Sequence, residues 1–170
     1  MTETQEHVRS RTFSWTDPLV TAARVGSTSG LEMLQAMRDG ELPAPPILQL
    51  VGATGLEAEE GRVVVYLPAA EFHYNPLGTV HGGIIATLLD TAAGCTVHST
   101  LPAGVGYTSL DLMTRFVKPV TVQSGLLRCE GAIISRGRRT AVAESRLFDE
   151  RGVLLAHATS TCMIFELPAA

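Results

Sequence analysis

Cysteine is scarce in this sequence, and what there is does not pair. Cys95, Cys129 and Cys162 are odd in number, widely spaced and set in apolar surroundings, and no CxxC motif occurs. That argues against a disulfide framework and for reduced core thiols of a cytoplasmic protein. Positive charge is not in surplus: 13 Lys and Arg against 17 Asp and Glu leave a net charge of −4, with a pI near 5.7. Nucleic acid is thereby excluded as the main partner, because phosphate binders carry a basic field. A local basic patch for a small anionic ligand stays open. Long apolar runs are missing too. The longest, Ile84 to Ala93, carries an acid and is too short to cross a bilayer, so no membrane partner is expected. The N-terminus has no apolar stretch of the secretory kind. His73, His98 and His157 fall at no metal-ligand spacing, so no metal is expected. No phosphate-binding loop, GxSxG elbow or dinucleotide fingerprint is present.

What remains is 170 residues, 45% of them hydrophobic. That is enough for one globular core without metal or disulfide staples. We divide the chain into an N-terminal extension, 1–41, and a main domain, 42–170. Residues 1 to about 28 read as an extended or poorly ordered arm, pinned by Phe13 and Trp15. Ser29 with Glu32 forms a capping box that opens a short helix through about Met37, closed by Asp39-Gly40. Pro43, Pro45 and Pro46 make a stiff linker before a helical turn at Ile47 to Val51. Strand patterning follows from Glu57, clearest in the valine-rich run Arg62 to Leu67.

A helix is expected from Gly82 to Ser99, with Ile84, Ile85, Leu88, Leu89, Ala92, Ala93 and Val97 on a broad apolar face. Four strands come after it: Tyr107 to Val117, Val122 to Ile134, Thr140 to Phe148, and Val153 to Phe165. Short breaks at Lys118-Pro119, Ser135-Arg136-Gly137 and Asp149 to Gly152 predict antiparallel neighbours. The simplest assembly is α+β: a curved antiparallel sheet wrapped around one long helix. Its leftover apolar surface predicts dimerisation.

The most informative stretch is Asn75 to Gly83 with Asp90 beyond it. Two glycines at a helix start weaken the helix, which points to close approach by a ligand or by backbone. First-turn N–H groups have no intrahelical partner and can hold a developing oxyanion. A tight strand-to-helix turn would need the same glycines. Asp90 sits among Leu88, Leu89, Ala92 and Ala93, an unlikely home for a carboxylate unless it is paired or functional. The structural alternatives are a bond to Thr87 or Thr91, or a place at the helix's wet edge. Gly82 and Asp90 are roughly 12 Å apart along a helix axis, too far for one carbonyl. If both act on one carbonyl, they come from different subunits, across a two-fold axis that gives two sites per dimer.

Asn75, Gly78, His81, Gly82, Gly83 and Asp90 fill the pattern NxxGxxHGGxxxxxxD at every position. With the helix-then-four-strands order, the chain resembles hotdog-fold acyl-CoA thioesterases of the PaaI type from about Leu42 to Phe165. The resemblance implies hydrolysis of an acyl-CoA or aryl-CoA thioester, with Asp90 as general base or nucleophile and Gly82 as oxyanion amide. It implies that Asn75 lies near the thioester, that His81 orients the carbonyl or the loop, and that Ser109 positions water. Ser109 alternates with Leu110 and Leu112, so it should face the side opposite them. Ordinary roles for these three are a turn starter, a helix-entry residue and a strand hydroxyl. Gly83 and Thr91 are assigned to substrate contact. Arg136, Arg138 and Arg139, expected near Lys118 and Arg128, are assigned to the CoA phosphates, the alternative being a solvated charged turn. No cofactor is implied beyond CoA as part of the substrate. The expected assembly is a homodimer or a dimer of dimers. Two further readings stay open: a hotdog hydratase-dehydratase on acyl thioesters, and a non-catalytic acyl-CoA-binding protein.

Overall fold

The computed structural model describes residues 8–168. Four helices and seven strands follow one another as α1 (Pro18–Ala22), α2 (Gly30–Arg38), α3 (Pro46–Val51), β1 (Gly55–Glu59), β2 (Arg62–Pro68), α4 (Gly82–His98), β3 (Val105–Ser109), β4 (Met113–Phe116), β5 (Leu126–Arg136), β6 (Thr140–Phe148) and β7 (Leu154–Glu166). Every strand pairing is antiparallel, in the order β1-β2-β5-β6-β7-β3, with β4 also on β7. The sheet curves around α4. Ile85, Leu88, Leu89 and Ala92 of the helix meet inward strand residues such as Val63, Val65, Leu127, Cys129, Leu147 and Ala158, while Ala93 and Val97 meet Ala141, Ala143 and Cys162.

Small residues set how closely the two layers approach. A Cβ on Gly131 would lie 2.4 Å from the Ala92 carbonyl oxygen and 2.2 Å from Thr96 Oγ1. Glycine at this strand position therefore lets β5 lie directly on α4. α2 begins with the expected capping box, in which Ser29 and Glu32 bond each other reciprocally. Its Leu34 is part of the main core, and Gly30 N–H donates to the Leu101 carbonyl at 2.9 Å. Residues 18–22, expected to be extended, form the short α1, started by Asp17 as N-cap and Pro18 in the first turn.

Two expectations about the strands are corrected. Tyr107 to Val117 is two strands, not one. Ser109 pairs with Cys162 and Met113 with Thr159, so four steps on one side match three on the other. The extra residue makes a bulge. Asp111 holds it: its carboxylate accepts from Thr161 N–H at 2.9 Å, and its carbonyl accepts from Ser160 Oγ at 2.8 Å. Nor does Lys118-Pro119 make a hairpin with the next strand. Val117 and Lys118 N–H both donate to the Leu155 carbonyl, Val80 N–H donates to the Val120 carbonyl, and Val122 N–H donates to Tyr74 Oη. These bonds stitch residues 117–122 to β7 and to the loop before α4. The chain thus crosses to β5 on the far side of β6 and β7.

Candidate active site

The start of α4 is built by its own N-cap. His81 is extended, and its Nδ1 accepts from Gly83 N–H at 2.9 Å. The ring therefore carries its proton on Nε2. Ile84 N–H donates to the His81 carbonyl. Gly82 N–H alone in this turn has no acceptor among the described residues, and it sits at the positive end of a 17-residue helix. Space around both glycines is tight, and at Gly82 the neighbour is an exposed ring that can shift. A Cβ on Gly82 would lie 3.1 Å from Phe116 Cζ, and one on Gly83 would lie 3.0 Å from His81 Nδ1.

Asn75 shapes the loop in front. Its Oδ1 accepts from Leu77 N–H at 2.9 Å and Thr79 N–H at 3.3 Å, and its Nδ2 donates to Thr79 Oγ1 at 3.0 Å. That is a self-bonded Asx turn, with one amide hydrogen to spare. Asn75, Gly82, Phe116 and Lys118 line a cavity of about 410 Å³. On the other side of the helix start, His81, Gly83, Ile84 and Thr87 open onto a larger cavity of about 670 Å³.

Asp90 lies two turns further along α4. The expectation of a carboxylate enclosed by apolar side chains is corrected: Asp90 is half-buried, whereas Leu88, Leu89, Ala92 and Ala93 are fully buried. Neither threonine holds it. Thr87 Oγ1 donates to the Gly83 carbonyl and Thr91 Oγ1 to the Thr87 carbonyl, both within the helix. Its partner is Ser109, whose Oγ donates to Asp90 Oδ1 at 3.1 Å. The alternation that set Ser109 opposite both leucines fails at the bulge. Leu110 is exposed, Leu112 packs on the core, and Ser109 turns to the helix. Tyr107, two residues before Ser109, covers the next helical turn at Gly94, where a Cβ would meet its hydroxyl at 2.9 Å.

Arg136, Arg138 and Arg139 share a cavity of about 620 Å³ with Pro102, Val105 and Met163 to Glu166, and no carboxylate pairs with them among the described residues. Arg128 and Lys118 are not their neighbours, contrary to expectation. Arg128 stands eight residues back on β5, roughly 26 Å at strand rise. It pairs with Glu130 and lies over the Phe148 ring. Lys118 lines the Gly82 cavity instead. Among the described residues no group of three His, Cys, Asp or Glu side chains could hold a metal, and no helix is long and apolar enough to cross a membrane. Sequence reasoning missed Phe116 and Lys118 as site residues, because their place depends on the crossing after β4.

A seven-stranded antiparallel sheet curled around one long helix is the hotdog fold. Comparison with known proteins leads to the same class. Residues 77–156 match the model of the thioesterase superfamily. The crystal structure of a phenylacetic acid degradation-related protein from Ralstonia eutropha superposes with a TM-score of 0.69 at 31% identity, covering 76% of this chain and 98% of that one. A 1,4-dihydroxy-2-naphthoyl-CoA hydrolase from Listeria monocytogenes is 27% identical over 68% of this chain and 91% of its own length. A Halobacterium salinarum protein named provisionally as an esterase is 33% identical over 103 residues, 58% of this chain, and the match spans 66% of that relative's length. The chain belongs to the thioesterase superfamily.

Proposed function

We propose that this protein hydrolyses an acyl-CoA or aryl-CoA thioester to the free acid and CoA. The observation that carries the reading is the unpaired Gly82 N–H, left over because the His81 ring takes the next amide. A thioester carbonyl seated there accepts from that N–H, and the bond strengthens as negative charge develops on oxygen. Asp90, held by Ser109, takes a proton from water while the hydroxide attacks the carbonyl carbon. The tetrahedral intermediate then expels CoA as thiolate, which picks up a proton. In the alternative route Asp90 itself attacks, and water hydrolyses the resulting anhydride. Single turnover in oxygen-18 water separates the two: only the second route leaves label in the Asp90 carboxylate.

Because Gly82 and Asp90 of one chain are roughly 12 Å apart along the axis, amide and carboxylate are contributed by different subunits of a homodimer. Gly83 and Thr91 border the substrate, Asn75 shapes the loop beside it, and His81 offers Nε2–H to it. The unpaired arginines 136, 138 and 139 meet the CoA phosphates, for which guanidinium is suited. The Listeria relative's hydrolysis of an aryl-CoA supports this reaction class. Thiol release from a panel of acyl- and aryl-CoA substrates tests it. Turnover that Asp90→Asn lowers by about 10²- to 10⁴-fold supports the proposal. Thiol release unchanged by Asp90→Asn overturns it.

A further inference from the structure

We infer that the N-terminal arm, residues 9–15, is the outer wall of the acyl pocket, and that this pocket takes an apolar, ring-bearing acyl group. The inference rests on the thioesterase reading above. The cavity of about 670 Å³ opens at His81 and Gly83, beside the proposed carbonyl position. Its walls are Ile47 and Leu50 from α3, Phe72 from the turn at Glu71–His73, Ile84 from α4, and Phe13 from the arm. Phe72 is 53% exposed, and Ile47 and Leu50 are 46% exposed each, so an apolar guest would remove considerable surface from water. The space is broad, with aromatic rings on two sides. A flat ring enters it at little conformational cost, whereas a linear chain would lose rotamer freedom on entering.

Arg9 pairs with Glu71 and ties the start of the arm to the turn before the site. Among the described residues, no backbone group of residues 10–15 is hydrogen-bonded. Side chains hold it. Arg11 donates to the carbonyls of Gln49 (3.0 Å) and Leu50 in the last turn of α3, and its guanidinium lies 4.1 Å from the Phe72 ring centroid. Those carbonyls sit at the negative end of α3, where among the described residues Gln49 otherwise accepts only from Gly52 N–H at 3.2 Å, so a cation is favoured there. One residue thus clamps two walls of the cavity. Gly52, which ends α3 at φ +82°, leaves room for it, since a Cβ would lie 3.0 Å from the Arg11 guanidinium.

Full-length wild type, Arg11→Ala and Phe13→Ala are compared on benzoyl-CoA, decanoyl-CoA and acetyl-CoA. The pocket predicts that wild type prefers benzoyl-CoA to decanoyl-CoA. Each variant should lose about tenfold in kcat/KM on benzoyl-CoA, through KM, and less than about twofold on acetyl-CoA, which does not reach the arm. Equal losses on both substrates, or no loss, overturn the arm's role, and a preference for decanoyl-CoA overturns the ring assignment. If wild type releases no thiol from any thioester, the hydrolase reading fails and the pocket is read by calorimetry. Benzoyl-CoA must then bind at least about tenfold tighter than CoA, with Arg11→Ala erasing the difference; equal affinities overturn the inference.

Discussion

His81 decides which amide of the first turn is left for a substrate. Its ring satisfies Gly83, and Gly82 remains. Proline is tolerated at the first helical position, and His81 already has the extended backbone that a following proline requires. Gly82→Pro therefore deletes one N–H while keeping the helix. The expected loss in kcat is about 10²- to 10³-fold with the circular dichroism spectrum unchanged. Full activity in that variant would remove Gly82 from the mechanism. Ser109→Ala removes a hydrogen bond to a charged group, worth about 1.5–3 kcal/mol, so a loss of roughly 10- to 100-fold is expected if the bond matters in the transition state. The thiols should be inert. Half-buried Cys95 is pushed up to about 12 by lost solvation and by the nearby Asp90 charge, and burial pushes Cys129 higher still. DTNB at pH 8 should label native protein slowly and unfolded protein at once. A fast stoichiometric burst from native protein would contradict this.

Elements differ in how far they can be read from their residues. The capping box of α2, the start of α4 and the hairpins at Arg136–Thr140 and Asp149–Val153 are local, and residue type and spacing specify them. The partners of β3 and β4 are not local. They depend on β7, which comes much later in the chain, and on bonds from Val117 and Lys118 to Leu155. The bulge at Leu110 to Leu112 hides in an apolar strand pattern because its lock, Asp111 on Thr161, spans fifty residues. Asp90 is legible as an acid out of place, yet its partner Ser109 is presented to it by β3, whose pairing with β7 is not local. Gly131 gives the clearest element-level test. Alanine there collides with the α4 backbone, and overpacking of about 1–3 kcal/mol lowers Tm by roughly 2–12 °C in a chain of this size. An unchanged Tm would mean that β5 and α4 are not in direct contact. The turn at Glu71–His73 adds a pH dependence. Buried His73 accepts from Ala70 N–H and donates to the Val51 carbonyl, which fixes it neutral, and burial lowers its proton affinity. Burial does the same to His98, whose Nδ1 has no partner. The unfolded chain therefore takes up protons first as pH falls. Stability should be complete above about pH 6.5 and decline below it. Calorimetric Tm values at pH 7.5 and 5.5 check this, and equal values would contradict it.

At the scale of the whole molecule, the proposed reaction needs two halves of a site that do not meet within one chain. The amide half faces the cavities at the start of α4, and the carboxylate half lies on a strip of the same helix that its own sheet leaves half open. The helix is rigid, so motion within one chain cannot close the gap of roughly 12 Å. Leu110, Met113, Phe116 and Val117 are exposed and apolar, and the proposed homodimer would cover them. Subunit mixing tests this directly. Gly82→Pro and Asp90→Asn chains, each nearly inactive alone, are unfolded together and refolded as mixed dimers. A shared site predicts that every mixed dimer regains one intact site, so a statistical mixture recovers about a quarter of wild-type activity. Activity no higher than that of the separate variants would contradict it, and would place amide and carboxylate in sites that never span two chains.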